Sequence, residues 1–196
     1  MYILGDIGNS DTKIFLVNKK DVILKRINFP TKNINNQNFD KKMKYLINDI
    51  KKISKILFCS VVPKSFKLIK KYFSKKTKTK CLEVKNLDLK SLIKIKVNYK
   101  QVGSDRLVNA ISLQNNKHNF IILDFGTATT FDVVIKKDYR GGIIAPGVKI
   151  SLDTLSDKAS LIPQINLKST KNIVGNNTIS AVRSGFFWGY IGLIDN

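Results

Sequence analysis

The sequence contains one short pattern twice: an apolar run, an Asp-x-Gly turn with small polar residues, and a second apolar run. The first copy lies around Asp6 and Gly8, and the second lies around Asp124 and Gly126, at a constant offset of 118 residues. Each copy predicts a strand, a tight turn and a second strand. The offset is too long for a solenoid repeat and instead indicates a duplicated domain, each copy presenting its turn to a shared cleft. A chance match of two short patterns is the alternative.

The residue types in the second turn are suited to holding phosphate. Gly126 lets the backbone approach a ligand closely, and the amides and hydroxyls of Thr127, Thr129 and Thr130 can donate to phosphate oxygens. Asp124 comes where the strand ends, so its carboxylate is available to hold a cation. A plain hairpin with a Gly-Thr turn is the alternative interpretation.

The rest of the chain alternates between strand and helix patterns, which predicts an α/β fold with domains at residues 1–117 and 118–196. The boundary is placed near the polar loop at His118, since no low-complexity linker divides the chain. Residues 30–40 and 169–177 are predicted as loops, residues 140–146 as a turn followed by a strand, and residues 86–98 fit no clear pattern. Strands are predicted at 2–5, 14–17, 22–28, 56–62, 81–84, 120–124 and 130–136, and helices at 41–56, 66–73, 107–111, 148–160 and 178–193.

Composition limits the classes of function. With 43% hydrophobic residues in 196, the chain can build a core, and no apolar run approaches the roughly 20 residues of a membrane span. No signal peptide is recognised, and Cys59 and Cys81 have no metal-ligand spacing, so we expect reduced thiols and a cytoplasmic protein. The net charge of +21 comes almost entirely from lysine, with four arginines. Because nucleic-acid readers usually favour arginine, we expect a solvated surface with no specific nucleic-acid partner and no membrane partner.

A third candidate site precedes the second copy of the turn. Gly103, Ser104, Asp105 and Arg106 follow Val102 and open an apolar helix pattern. Ser104 or Asp105 can cap that helix, which is the structural interpretation. An Asp-Arg pair at a helix start is also well placed to meet an anionic substrate that carries a hydroxyl.

Taken together, these segments resemble the type III pantothenate kinases, which belong to the actin-like ATPase and sugar-kinase superfamily. The match covers nearly the whole chain, and its specificity comes from the order and spacing of six short motifs. They are Asp6-Ile7-Gly8-Asn9-Ser10, Ser60-Val61-Val62-Pro63, Gly103-Ser104-Asp105-Arg106, Asp124-Phe125-Gly126-Thr127-Ala128-Thr129, Gly142-Ile143-Ile144-Ala145-Pro146-Gly147 and Gly175-Asn176-Asn177-Thr178.

The resemblance implies duplicated ribonuclease H-like domains with a cleft between them. It also implies transfer of the ATP γ-phosphate to pantothenate, giving 4'-phosphopantothenate in the first step of coenzyme A synthesis, by a homodimer that needs Mg²⁺ or another divalent cation and K⁺ or NH₄⁺. By the family pattern, ATP is bound by Asp6, Ile7, Gly8, Asn9, Ser10, Asp11, Thr12, Lys13 and Thr127. Pantothenate is bound by Tyr99, Gly103, Ser104, Asp105, Arg106 and Thr178, with Asp105 as the general base, and Asp124 holds the monovalent cation.

The sequence departs from the family pattern at two places. Tyr99 and Val102 are separated by fewer residues than is usual, which bears on the role of Tyr99. Family members also continue for several tens of residues beyond position 196, so part of the adenine side of the cleft is expected to be missing. Two alternatives remain open. One is a transcription accessory protein of the same fold, although the presence of Asp6, Asp105, Asp124 and Asp132 favours an enzyme. The other is a different small-molecule kinase, against which the Gly-Ser-Asp-Arg motif argues.

Overall fold

The computed structural model describes residues 1–195, which form nine β-strands and five α-helices arranged around two sheets. The strands are β1 (Tyr2–Ile7), β2 (Asp11–Val17), β3 (Ile23–Pro30), β4 (Lys55–Ser60), β5 (Cys81–Glu83), β6 (Lys94–Ile95), β7 (Asn119–Phe125), β8 (Ala128–Ile135) and β9 (Asp138–Pro146). The helices are α1 (Asn36–Leu46), α2 (Pro63–Lys76), α3 (Ser104–Leu113), α4 (Val148–Lys158) and α5 (Thr178–Asp195).

The first sheet has the strand order β3-β2-β1-β4-β5. β1, β2 and β3 are antiparallel neighbours, whereas β4 pairs in parallel with both β1 and β5. In the β1–β4 register Asp6 lies opposite Cys59 and Ile7 lies opposite Ser60. Parallel strands end at the same edge of a sheet, so the turn after β1 and the residues after β4 leave the sheet side by side.

Aromatic side chains from α1, α2 and β4 pack together beneath this sheet. Phe39, Phe58 and Phe73 are each no more than 3% exposed. The ring centroids of Phe39 and Tyr72 are 5.0 Å apart, and those of Phe58 and Phe73 are 6.2 Å apart. A side chain at Gly5 would overlap the Phe58 ring. Burial of each large apolar side chain stabilises the fold by roughly 1.5–3 kcal/mol, so the strand that carries Asp6 rests on a well-packed base.

The second sheet has the strand order β6-β9-β8-β7, with β6 parallel to β9. Lys136, with a φ of 56°, lies in the turn between β8 and β9. The described chain divides into two compact units. Unit 1 contains Met1–Ile121 and Asp132–Gly141, and unit 2 contains Ile122–Phe131 and the residues from Gly142 onward. The two-domain division at residues 117 and 118, with its cleft, stays a prediction.

The predicted helix over residues 41–56 is wrong. α1 begins five residues earlier, because the Asn35 side chain accepts the N–H of Asn38 and caps it, and the helix ends at Leu46. Its predicted continuation instead forms a short 3₁₀ turn from Ile50 and then the start of β4. The predicted loop over residues 30–40 is wrong for the same reason.

Two further boundaries differ from the prediction. Residues 140–142 belong to β9 rather than to a turn, and the reversal lies at residues 136 and 137. α2 begins at Pro63 rather than near residue 66, because proline is favoured in the first turn of a helix, where its missing N–H costs nothing. The remaining predicted strands and helices are confirmed, with ends displaced by a few residues. A search of the described helices finds none with the length and apolar character needed to cross a membrane.

Candidate functional site

The turn between β1 and β2, residues Gly8 to Ser10, is the first part of the site in unit 1. The N–H of Gly8 donates to the carbonyl of Asp11 at 2.9 Å, which closes the hairpin. Asn9, Ser10, Asp11 and Lys13 are exposed around it. The predicted ATP-binding residues from position 6 to position 13 therefore form one strand end, one turn and one strand start.

Thr12 is the exception in this segment, since its side chain is fully buried. Its hydroxyl lies 2.9 Å from that of Thr31, the residue that follows β3. Thr31 also contacts Gly8 and Ser10 directly. Thr12 therefore shapes the turn from inside the protein, and its predicted contact with ATP stays a prediction.

The second part of the site is the start of α3, which is fixed to the end of β4. The hydroxyl of Ser104 accepts the N–H of Ser60 at 2.9 Å and donates to the Ser60 carbonyl at 2.8 Å. β5 pairs with β4 only as far as Phe58, so Ser104 satisfies a strand edge that has lost its neighbour. Because the side chain of Ser104 is fully buried and committed to Ser60, it holds the helix start in place rather than capping it.

Asp105 lies in the first turn of α3, and Gly103 occupies the N-cap position without a side-chain hydrogen bond to the helix. The prediction that Ser104 or Asp105 is the N-cap residue is therefore wrong, because Gly103 holds that position. Asp105 Oδ1 instead accepts the N–H of the next residue, Arg106, at 2.8 Å. The same oxygen folds back over Gly103, so closely that a methyl group on Gly103 would overlap it. Gly103 therefore determines where the Asp105 carboxylate can lie.

Asp6 and Asp105 both act on the buried thiol of Cys59. Burial is the main reason why the pKa of Cys59 is raised to about 12, and the negative charges of Asp6 and Asp105 raise it further, against a hydrogen bond with Ser104 that lowers it. Asp6 lies opposite Cys59 in the β1–β4 register, and Asp105 follows Ser104, which binds Ser60, so both acids lie at the same end of the first sheet. That end contains the predicted general base and the predicted phosphate turn.

Arg106 is held by a buried acid that the site prediction did not include. Its Nε donates to Asp132 Oδ1 at 2.8 Å, and its Nη2 makes an ion-pair contact with the same oxygen at 2.6 Å. The Tyr139 hydroxyl donates to this oxygen as well, at 2.6 Å, and both Asp132 and Tyr139 are fully buried. Burial lowers the pKa of Arg106, but the bond and the charge of Asp132 outweigh it and raise that pKa. Burial and Asp132 also raise the pKa of Tyr139.

Tyr99 lies in the shortened segment before Gly103, and its hydroxyl donates to the carbonyl of Lys85 at 2.7 Å. The ammonium group of Lys85 in turn donates to the carbonyls of Lys100 and Val102, at 3.2 and 2.8 Å. Tyr99 and Lys85 thus brace the segment that leads into Gly103. The predicted contact between Tyr99 and substrate stays a prediction.

A cavity of about 520 Å³ opens beside Gly103 and Ser104. Its wall includes four lysines and the partly buried carboxylate of Glu83. The lysines are Lys67, Lys70, Lys85 and Lys100. An anionic ligand would therefore meet positive charge next to the start of α3.

Unit 2 contains the remaining predicted residues. Asp124 lies near the end of β7, and Thr127 lies in the turn before β8, where the N–H of Gly126 donates to the Ala128 carbonyl at 3.0 Å. The N–H of Gly147 donates to the Thr127 carbonyl at 3.0 Å, and any side chain at Gly147 would overlap this turn. The second Asp-Gly turn is thus built around a backbone approach that only glycine allows.

Thr178 is exposed at the first position of α5. The side chain of Asn177 accepts the N–H of Ser180 at 2.9 Å and caps that helix. Gly175 packs so closely against the first turn that a side chain there would overlap Ala181. The motif that ends in Thr178 therefore fixes how α5 begins.

No group of three or more His, Cys, Asp or Glu residues within positions 1–195 could hold a metal ion. Mg²⁺ that arrives with ATP needs only one or two carboxylates, because phosphate oxygens and water complete its coordination. The partly buried Asp6, beside the β1–β2 turn, fits that need.

Comparison with known proteins identifies the family. The sequence profile described as type III pantothenate kinase matches residues 2–196. The chain belongs to the type III pantothenate kinase family. A type III pantothenate kinase from Pelagibacter ubique is 65% identical over 196 residues, which cover 100% of this chain and 79% of that protein. One from Sulfurihydrogenibium is 37% identical, covering 100% of this chain and 80% of the relative.

Solved structures show the fold alone. A protein from Campylobacter jejuni described as a Baf family transcriptional activator has a TM-score of 0.59 at 20% identity, covering 98% of this chain and 77% of that one. A protein from Sinorhizobium meliloti described as a 2-dehydro-3-deoxygalactonokinase has a TM-score of 0.58 at 7% identity, covering 100% and 80%. These similarities and the two sheets confirm the predicted α/β fold class of the sugar-kinase type.

As a type III pantothenate kinase, the chain is a phosphotransferase that phosphorylates pantothenate in coenzyme A biosynthesis, using ATP and a divalent cation. The alternative of a transcription accessory protein is not favoured by the family match. The prediction missed Thr31, Lys85 and Tyr139 and gave no role to Asp132. None of these residues lies within a recognised motif. Thr31 and Asp132 act on motif residues that are distant in sequence. Lys85 braces the segment before Gly103, and Tyr139 supports Asp132.

Proposed function

We propose that in this pantothenate kinase Asp105 is the general base and that the β1–β2 turn holds the phosphates of ATP. The observation that supports this most directly is the placement of both acids at one end of the first sheet: Asp6 lies opposite Cys59 in the β1–β4 register, and Asp105 follows Ser104, whose hydroxyl binds Ser60. Phosphoryl transfer depends on positioning and charge neutralisation more than on covalent chemistry. A carboxylate held beside a phosphate turn meets both needs.

The nucleotide side of the proposal comprises the segment from Asp6 to Lys13 and Thr127 of unit 2. The exposed ammonium of Lys13 can offset phosphate charge, and the amides of the turn can donate to phosphate oxygens. Asp6 is the residue that would hold the divalent cation, through its waters or directly. When bound, that cation neutralises charge on the phosphates.

The acceptor side comprises Tyr99, the segment from Gly103 to Arg106, and Thr178. Asp105 takes the proton of the pantothenate hydroxyl as that oxygen attacks phosphorus. Arg106, held through one edge by Asp132, can present its remaining donors to the pantothenate carboxylate. Ser104 contributes by fixing the helix start.

The test of the base is Asp105→Asn, which preserves shape but cannot accept the proton with useful basicity. We expect turnover at saturating pantothenate to fall by at least about 10²-fold, while ATP binding and the melting temperature stay close to wild type. Near-wild-type turnover would reject Asp105 as the base and make Asp6 the next candidate.

The monovalent cation is assigned to Asp124, in line with its place near the end of β7 beside a threonine-rich turn. Activity of the wild-type protein should be higher in K⁺ or NH₄⁺ than in Na⁺, and Asp124→Asn should remove that difference. Equal rates of the wild-type protein in all three salts would reject the assignment.

We further propose a cytoplasmic homodimer with no specific nucleic-acid partner, built from domains at residues 1–117 and 118–196. The aromatic residues of α5, Phe186, Phe187, Trp188 and Tyr190, support an interface in the second domain. Tyr190 also donates to the Pro146 carbonyl at 2.8 Å, so part of this set has a structural role. A monomer at micromolar concentration in sedimentation would contradict the dimer.

Tight, sequence-dependent DNA binding at near-physiological salt would contradict the absence of a nucleic-acid partner.

A further inference from the structure

Thr31 lies immediately after β3 and reaches back to the β1–β2 turn, more than twenty residues earlier. Its N–H donates to the carbonyl of Ser10 at 2.8 Å, and its hydroxyl donates to the carbonyl of Gly8 at 2.7 Å. The side chain is 5% exposed. One buried residue therefore fixes two of the three carbonyl groups of the turn.

The direction of the remaining hydroxyl bond follows from counting protons. A threonine hydroxyl has one proton, and Thr31 uses its proton on the Gly8 carbonyl. In the 2.9 Å contact between the two hydroxyls, Thr12 must therefore be the donor and Thr31 the acceptor. The result is a directed chain from Thr12 through Thr31 to Gly8, with both hydroxyls buried and satisfied.

Fixing these carbonyls also fixes the amides of the turn. In a trans peptide the C=O of one residue points opposite to the N–H of the next, and the described residues contain no cis peptide bond. The N–H groups of Asn9 and Asp11 therefore point away from the Gly8 and Ser10 carbonyls that Thr31 holds. Backbone amides of a turn that point to the same side can together bind an anion.

We propose that Thr31 is a positioning residue for ATP: by holding the carbonyls of Gly8 and Ser10, it sets the amides of the turn toward the phosphates. The proposal rests on the proposed role of this turn in ATP binding. Thr31 itself does not touch the nucleotide. Its effect should therefore appear in the use of ATP, while the use of pantothenate changes little.

The test compares Thr31→Val, which removes the hydroxyl while keeping the shape, with Thr31→Ser, which keeps the hydroxyl. The matched control is Thr79→Val, because the partly buried Thr79 hydroxyl also donates to a backbone carbonyl, that of Ile53, at 2.8 Å. We expect Thr31→Val to raise the KM for ATP by about tenfold or more and to leave the KM for pantothenate within about twofold. Thr31→Ser and Thr79→Val should retain the wild-type KM for ATP.

A fourth variant, Lys13→Met, tests the role of the β1–β2 turn in ATP binding independently of the positioning role of Thr31. An unchanged KM for ATP in folded Thr31→Val overturns the positioning role, and Lys13→Met then shows whether the ATP role of the turn still stands. If Thr31→Val does not fold, Thr31→Ser decides. A wild-type KM for ATP with Ser supports the hydroxyl as the essential group, and a tenfold increase with Ser overturns it.

Discussion

Replacing Gly103 with alanine should displace the proposed base without harming the fold. Gly103 has φ −61° and ψ 146°, a conformation that alanine adopts without strain. The added methyl would overlap Oδ1 of Asp105, which is the end of a side chain rather than a piece of backbone. Relief therefore comes from rotation of the carboxylate, which must retreat by about 1 Å to reach an ordinary van der Waals distance.

The expected changes in stability and turnover have opposite signs. A glycine-to-alanine change at a compatible position stabilises a protein by about 0.4–1 kcal/mol, because it restricts the unfolded chain. Displacement of a reacting group by about 1 Å can cost on the order of 10²-fold in rate. We therefore expect an unchanged or slightly higher melting temperature, together with turnover reduced by about 10- to 100-fold.

The assay is steady-state turnover at saturating ATP and pantothenate, alongside thermal unfolding, for Gly103→Ala, Asp105→Asn and the double variant. If Gly103→Ala acts through Asp105, the double variant should be no slower than Asp105→Asn alone, because the two changes remove one interaction. Full additivity of the two losses, or wild-type turnover in Gly103→Ala, would refute the reasoning.

The other predictions concern the contacts around this centre. Asp132→Asn should lower the free energy of unfolding in urea by about 3 kcal/mol, because it breaks a buried ion pair, and should raise the KM for pantothenate. An unchanged KM for pantothenate would show that Asp132 has no role in pantothenate binding. Ser104→Ala should cost about 1–3 kcal/mol by leaving a buried backbone N–H and C=O unpaired, whereas the buried control Ser65→Ala should cost less. Burial raises the pKa of both Cys59 and Cys81 from 9.0 to about 12. The stability that the neutral thiols contribute is therefore complete below about pH 9 and is lost as the pH rises toward 12. Alkylation at pH 8 should be far slower in the folded protein than in urea, and equal rates would contradict the burial of the thiols.

The sequence predicted the features that depend on neighbouring residues. The Asp-Gly turn after β1 and the start of α3 follow from short-range patterns, such as an apolar run that ends in an acid and a glycine. The prediction of a helix over residues 41–56 was wrong because periodicity alone does not show where a helix ends. Ile50 and Ile53 continue the apolar spacing of α1, yet they serve a 3₁₀ turn and the approach to β4.

The residues that hold the site could not be predicted because their partners are distant in sequence. Thr31 contacts a turn 21–23 residues earlier, and Asp132 contacts Arg106 across 26 residues. Thr31 and the β1–β2 turn come together only because β2 pairs with β3 in the sheet. A threonine after a proline carries no local signal of such a contact.

The β1–β2 turn and the start of α3, both in unit 1, have the same construction. In each turn a buried, neutral hydroxyl fixes the backbone: Thr31 at the β1–β2 turn and Ser104 at the start of α3. A hydroxyl that both donates and accepts can be buried at little cost, whereas a charged group cannot. The charged groups Lys13 and Asp105 are thus left at least partly exposed, where they can meet substrate. Ser104 lies inside a motif, so its position was predicted although its bond to Ser60 was not. Thr31 lies outside all six motifs, so its bond to Gly8 could be found only in the structure.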